Sequence, residues 1–180
     1  MAIETEKKYR LTDEQKQFVS EALEELQAEY KGEDYEENTI FGGGILDSKP
    51  AVLRVRKIQN KTVLTYKESL KSEFSVKQRI ENETEVSDAG ELEKIIENLG
   101  FEPRLVYEKR RKTWKFREVE IVLDELPFGW FMEIEGSITA ITETEMFLGI
   151  ENYETEQESY PSLTARLGKR NGNLTEARFS

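Results

Sequence analysis

One alternation constrains this 180-residue chain more than any other feature: nearly every predicted strand carries charge on one of its two faces. In IETEKKYRL, residues 3–11, Glu4, Glu6 and Lys8 fall two apart and leave a β-strand from the same face, while Tyr9 and Leu11 leave from the other. AVLRVRKI places Val52, Arg54 and Arg56 together, and KTVLTYKES does the same with Val63, Thr65 and Lys67. FSVKQRIENETEVS carries Lys77, Arg79, Glu81, Glu83 and Glu85 in one register and Val76, Ile80 and Val86 in the other. RLVYEKRRKTWKFR adds Lys109 and Arg111, and EVEIVLDELPFGWFMEIEG adds Asp124, Glu133 and Glu135. Taken singly, each of these charges would ordinarily face water.

Between the strands lie helical patterns. TDEQKQFVSEALEELQAEYKG reads as a helix capped by Thr12 or Asp13, with Phe18, Ala22, Leu23 and Leu26 as its apolar stripe and Gly32 as its end. YEENTIF reads as a short strand entering the hairpin loop GGGILDSKP. SDAGELEKIIENLGF is a second capped helix closed by Gly100, SITAITETEMFLGI is helical, and SYPSLTARLG forms a short terminal helix. Residues 1–168 read as one domain and 169–180 as a frayed tail. About eight strands in hairpins, with three or so helices between them, predict an α+β fold: a closed eight-stranded antiparallel barrel covered by a few helices.

Two such barrels fit the alternation, one with the apolar register inward and one with it outward beneath the helices. The signs of the charges favour the second. An inward charged register would gather Lys8, Arg54, Arg56, Lys67, Lys77, Arg79, Lys109 and Arg111 with Glu4, Glu6, Glu83, Glu85, Glu133, Glu135 and Asp124. So many desolvated charges are tolerable only around water, a metal ion and a multiply charged ligand. Carboxylates hold Mg²⁺ or Mn²⁺ through oxygen, and guanidinium forks take phosphate oxygens.

Composition removes other chemistries. Cysteine and histidine are both absent, which excludes disulfides, thiolate or imidazole metal sites and every triad built on histidine. A formal net charge of −11 argues against a broad basic face for duplex nucleic acid. No apolar run approaches the ~18 residues of a membrane span. The charged start offers no signal peptide, so a cytoplasmic protein is expected.

The ordered set E-x-E-x-K, R-x-R, a later lysine, K-x-R and a late E-x-E resembles the CYTH family, the triphosphate tunnel metalloenzymes named for class IV adenylyl cyclase and thiamine triphosphatase. The resemblance runs from Glu4 to about Leu167. It implies that Glu4, Glu6, Glu83, Glu85, Asp124, Glu133 and Glu135 serve as metal ligands for Mg²⁺ or Mn²⁺, with Glu85 preferred over Glu83 and Glu81 least favoured. It implies that Lys8, Arg54, Arg56, Lys67, Lys77, Arg79, Lys109 and Arg111 bind the phosphates, with Lys8, Lys67 and Arg111 also catalytic. The implied activity is metal-dependent hydrolysis of inorganic triphosphate, thiamine triphosphate or a nucleoside triphosphate by a monomer or homodimer. The alternatives are cyclisation of ATP to cyclic AMP, and a non-catalytic polyphosphate sensor. Two departures from the family stand out. Gly42 and Gly43 follow Phe41 where an Asp-Thr pair is usual, and Glu158 precedes Ser159-Tyr160 where a lysine is usual, so that either a phosphate contact is missing or Arg166 or Lys169 supplies it. Trp114, Trp130 and Phe131 are expected to be packing residues.

Overall fold

The computed structural model describes the backbone of residues 2–69 and 77–180, and the side chains of residues 5–69 and 80–180. Its elements run β1 (Ala2–Leu11), α1 (Asp13–Glu25), β2 (Glu29–Gly42), β3 (Ala51–Ile58), β4 (Lys61–Ser69), β5 (Lys77–Val86), α2 (Ala89–Asn98), β6 (Glu102–Phe116), β7 (Val119–Leu126), β8 (Gly129–Glu135), α3 (Ile138–Leu148), α4 (Tyr160–Leu167), β9 (Lys169–Asn171) and β10 (Leu174–Ala177), with a 3₁₀ turn at Gly44–Ser48.

A capping box starts α1: the Thr12 hydroxyl accepts the Gln15 N–H, and the Gln15 side chain accepts the Thr12 N–H. The helix stops well short of Gly32, the end expected from the sequence. Past Leu26 its apolar stripe runs out, Gln27 takes a positive φ of 55°, and the chain is extended from Glu29. The correction has a long-range cause, because Glu29 and Tyr30 pair with Lys115 and Trp114 of β6. Gly32 then sits at a break in the β2–β6 register with φ 132°, a conformation that suits glycine.

Pairing runs β2-β3-β4-β5-β1-β8-β7-β6-β10-β9, and β2 also pairs with β6. Following the long strands from β2 through β3, β4, β5, β1, β8 and β7 to β6 therefore leads back to β2. Among the described residues the expected eight antiparallel strands become ten, because β9 and β10 form a hairpin where a frayed tail was predicted, and β10 runs parallel to β6. Among the described residues the four α-helices fall on the four segments read as helical in the sequence.

The apolar register points outward. Ile121, Leu123, Met132 and Ile134 from β7 and β8 pack with Tyr9 and Leu11 of β1 against Val19, Leu23, Ile141 and Leu148 of α1 and α3. Trp114 belongs to the same cluster, with Trp130 packed against it, and Phe131 lies in a second cluster under α4 with Tyr107, Leu126, Tyr160 and Leu163. Among the described residues no helix is long and apolar enough to cross a membrane.

Candidate functional site

Because β-strand side chains alternate, sending Ile121, Met132 and Ile134 outward sends Glu120, Glu133 and Glu135 inward. The inward register surrounds a cavity of about 590 Å³. Its charged lining comprises Glu6 and Lys8 of β1, Arg54 and Arg56 of β3, Lys67 of β4, Glu81 and Glu83 of β5, Lys109 and Arg111 of β6, Glu120 of β7, and Glu133 and Glu135 of β8. Ser159, Tyr160 and Pro161 approach it from the start of α4.

Part of this wall is a chain of alternating charge. Arg56 lies 3.4 Å from Glu36, and Glu36 3.2 Å from Lys109. Lys109 lies 3.7 Å from Asp124, which accepts two hydrogen bonds from Arg111 at 2.7 and 2.6 Å. Arg111 also donates to Glu133 Oε2 at 2.7 Å, and Lys8 Nζ lies 3.1 Å from Glu133 Oε1. Lys67 pairs with Glu81 at 3.0 Å, and Thr65 links Arg54 to Glu83.

These contacts set the protonation states. Burial alone would raise the Glu36 pKa, but Lys109, Arg56, Arg111 and Arg54 outweigh it and hold the carboxyl well below its ordinary 4.5. Glu133 follows the same logic, with Lys8, Arg111 and Lys109 overcoming burial. Burial, helped by Arg111 and opposed by Asp124 and Glu36, pushes the Lys109 ammonium down to about 8. Burial with the neighbouring Asp124 and Glu133 carboxylates keeps the Tyr160 phenol protonated far above its usual range.

A row of acids crosses three adjacent strands. Glu6 is in register with Glu135, and Glu135 with Glu120, and all three line the cavity. Like charges directly across strands destabilise a sheet. Their oxygen donors match a hard divalent cation, so the residues fit Mg²⁺ or Mn²⁺ in chemistry. Among the described residues no three acids already stand close enough to hold a metal ion without adjustment.

The structure brings together most of the residues picked out in the sequence. Glu6, Lys8, Arg54, Arg56, Lys67, Glu83, Lys109, Arg111, Glu133 and Glu135 all line one cavity. The side chains of Glu4, Lys77 and Arg79 lie outside the described residues; in backbone register Glu4 faces Arg79 and Glu6 faces Lys77. Glu85 is placed elsewhere. Near the far end of β5 its carboxylate is 64% exposed and pairs with Lys61, whereas Glu81 and Glu83 line the cavity. Asp124, in the same inward register as Glu120, is fully buried, its oxygens held by Arg111 and Tyr160.

Glu36 and Glu120 escaped the sequence reading, and Tyr160 entered it only as the neighbour of Glu158 and Ser159, with no role of its own. Glu36 shares a two-residue period with Asn38 and Ile40 inside the predicted strand YEENTIF, but it stands there as a lone acid in a mixed polar and apolar register, with no E-x-E or R-x-R pattern to mark it. Glu120 shares its period with Asp124. The two departures also find their places. Gly43 adopts φ 108° and donates its N–H to Asp47 at the 3₁₀ turn, so this glycine serves the chain reversal. The Glu158 carboxylate is held by Arg166 at 2.6 Å, while its carbonyl faces Lys8 Nζ at 3.4 Å. Arg166 and Lys169 are both outside the cavity lining.

A ring of strands that is apolar outside and ion-paired inside defines a class of barrel proteins with a charged interior. The sequence matches the CYTH domain model over residues 2–163, and the chain belongs to the CYTH family. Comparison with curated proteins finds no match. Among solved structures, the PH1012 protein of Pyrococcus horikoshii is similar at 28% identity and TM-score 0.75, covering 87% of this chain and 96% of that one. The PH1819 protein of the same organism is similar at 25% identity and TM-score 0.75, covering 91% and 98%. HpAC1 from Hippeastrum, a candidate adenylyl cyclase described as having a dominant triphosphatase activity, shares the fold at 21% identity and TM-score 0.70, covering 94% and 98%.

Proposed function

We propose that this protein hydrolyses a triphosphate with the help of a divalent metal ion. The observation that carries the reading is that one cavity presents both a row of three acids and a set of cations suited to phosphate. Glu6, Glu135 and Glu120 form a row across β1, β8 and β7, while Arg54, Arg56 and Lys67 stand on β3 and β4. Glu6, Glu133 and Glu135, with Glu120 beside them, would hold Mg²⁺ or Mn²⁺; Glu4 keeps the same role by its place in the E-x-E-x-K motif. When bound, the ion neutralises phosphate charge and acts as a Lewis acid.

The chain's own residues do the remaining work. Arg54 and Arg56 offer planar forks to phosphate oxygens, and the Arg54 Nε is buried with no hydrogen-bond acceptor among the described residues, a donor that an anionic ligand would satisfy. Lys67 adds a movable ammonium; Lys77 and Arg79 are assigned to the same phosphate-binding set. Lys8 and Arg111 flank Glu133 and are placed to stabilise charge on the transferring phosphoryl group. With no histidine in the chain, a cavity glutamate is the group to orient the attacking water.

The test is an assay with Mg²⁺ or Mn²⁺ and inorganic triphosphate, thiamine triphosphate or ATP, resolving phosphate, pyrophosphate and cyclic AMP. Phosphate release from inorganic triphosphate is expected. Cyclic AMP from ATP with no attack on inorganic triphosphate would replace hydrolysis by cyclisation. Glu133→Gln combined with Glu135→Gln should reduce turnover by about a hundredfold or more, in line with removing charge complementarity from a preorganised site. Arg56→Ala should raise KM and lower kcat through the loss of a charge-assisted contact.

A further inference from the structure

We infer that Tyr160 is a positioning residue that fixes two cations of the site at once: Lys8 through the face of its ring, and Arg111 through Asp124. The inference rests on the triphosphatase reading and adds to it a residue from outside the strands.

The ring alone could be ordinary packing, since it sits in the apolar cluster with Tyr107, Phe131 and Leu163. Two contacts go beyond packing. The Tyr160 hydroxyl donates to Asp124 Oδ2 at 2.7 Å, inside a fully buried environment. The same carboxylate receives Arg111 Nε and the adjacent guanidinium nitrogen, so the phenol completes the shell that holds Asp124 beneath Arg111. On the other side, Lys8 Nζ stands 3.8 Å from the ring centroid, a cation–π distance. A carboxylate oxygen of Glu133 at 3.1 Å and the Glu158 carbonyl at 3.4 Å complete the surroundings of that ammonium.

Lys8 and Arg111 thus grip the two oxygens of Glu133 from different strands, and Tyr160 backs both of them. The residue is the first of α4; Ser159 caps that helix, and Arg166 clamps the Glu158 carboxylate just before it. How α4 docks therefore decides where two cations of the cavity stand. A phenylalanine would fill the same space and keep the ring over Lys8. Only the hydroxyl reaches Asp124.

Tyr160→Phe and Tyr160→Leu separate the two contacts. With inorganic triphosphate, the Phe variant should lose about tenfold in kcat with KM changed less than about twofold, the scale of one hydrogen bond to a charged group. The Leu variant should lose about a hundredfold, and Tyr160→Phe should leave the melting temperature within a few degrees of wild type. A second measurement needs no turnover. With labelled lysine, the Lys8 ε-methylene protons should resonate upfield under the ring in wild type and in the Phe variant, and return to the ordinary lysine position in the Leu variant. A Phe variant with wild-type kcat, or wild-type Lys8 signals at the ordinary position, overturns the inference. If wild type cleaves no triphosphate, the functional reading falls by itself, and the Lys8 signals still decide whether Tyr160 holds the cation.

Discussion

On β7 and β8 the two faces are one residue apart in sequence and opposite in character. Outward, Ile121, Leu123, Met132 and Ile134 pack beneath α1 and α3 with almost no exposure. Inward, Glu120, Glu133 and Glu135 line a polar cavity, and Asp124 of the same register is fully buried. The outer face stabilises the fold by removing apolar area from water, a term that grows with each methylene. The inner face lowers stability with each charge it desolvates and recovers that cost only through pairing. The two sides should therefore respond differently to mutation: the outer one to size, the inner one to charge balance.

The harshest way to break the contrast is to put a charge on the wrong face. Ile134→Asp buries a carboxylate among apolar side chains with no counter-ion. It should abolish the folded state outright, because the cost rivals the whole stability of a domain. Far-ultraviolet circular dichroism would show the loss, and a folded variant would mean that the outer face tolerates charge. Next comes Glu36→Ala, which leaves Lys109 and Arg56 buried without their shared partner. A loss of about 3–5 kcal/mol in urea unfolding is expected. Combining Glu36→Ala with Lys109→Met should recover part of that loss, since one of the two stranded cations is removed while Arg56 still lacks its carboxylate.

A smaller effect is the acid slope. The Glu36 pKa is depressed in the folded protein, so its stabilisation is fully present above 4.5, its ordinary value, and is lost as pH falls toward the folded-state value. Wild type should lose up to about 1.4 kcal/mol per pH unit from this group below that point, and Glu36→Gln should flatten the slope. Smallest of all, Ile121→Val on the outer face should cost about 1 kcal/mol and leave turnover unchanged.

Much of this was legible in the chain because a strand's period is two, and the charged register could be followed from Glu4 to Glu135. The choice between charges inward and charges outward was not fixed by periodicity; the energetics of crowded charge pointed the right way. What escaped the sequence depended on distant partners. Residues 29–32 look helical until β6 pairs with them. Residues 169–180 look frayed until β10 lies along Leu105–Tyr107. Glu81 and Glu85 are equivalent by register, and only the position of each along β5 separates the one beside Lys67 from the one beside Lys61. Tyr160 stands in the sequence beside the Glu158 departure with nothing to mark its own partner, and it meets Asp124 only through the docking of α4.

The pairing of β2 with both β3 and β6 has a consequence for how the protein is made. The β2–β3 partners lie close in sequence, from Phe41↔Leu53 to Glu36↔Ile58, whereas β2 meets β6 from Gly42↔Glu102 to Glu29↔Lys115. At translation speeds of about 5–20 residues per second, one edge of β2 is exposed for roughly 3–17 seconds before its second partner has been synthesised. An open strand edge of that length is a template for unwanted pairing. Refolding in the millisecond-to-second range is expected from so much non-local pairing. Slowing synthesis should increase the insoluble fraction, and added chaperone should reverse the increase, because what must be protected is one edge of a nascent strand.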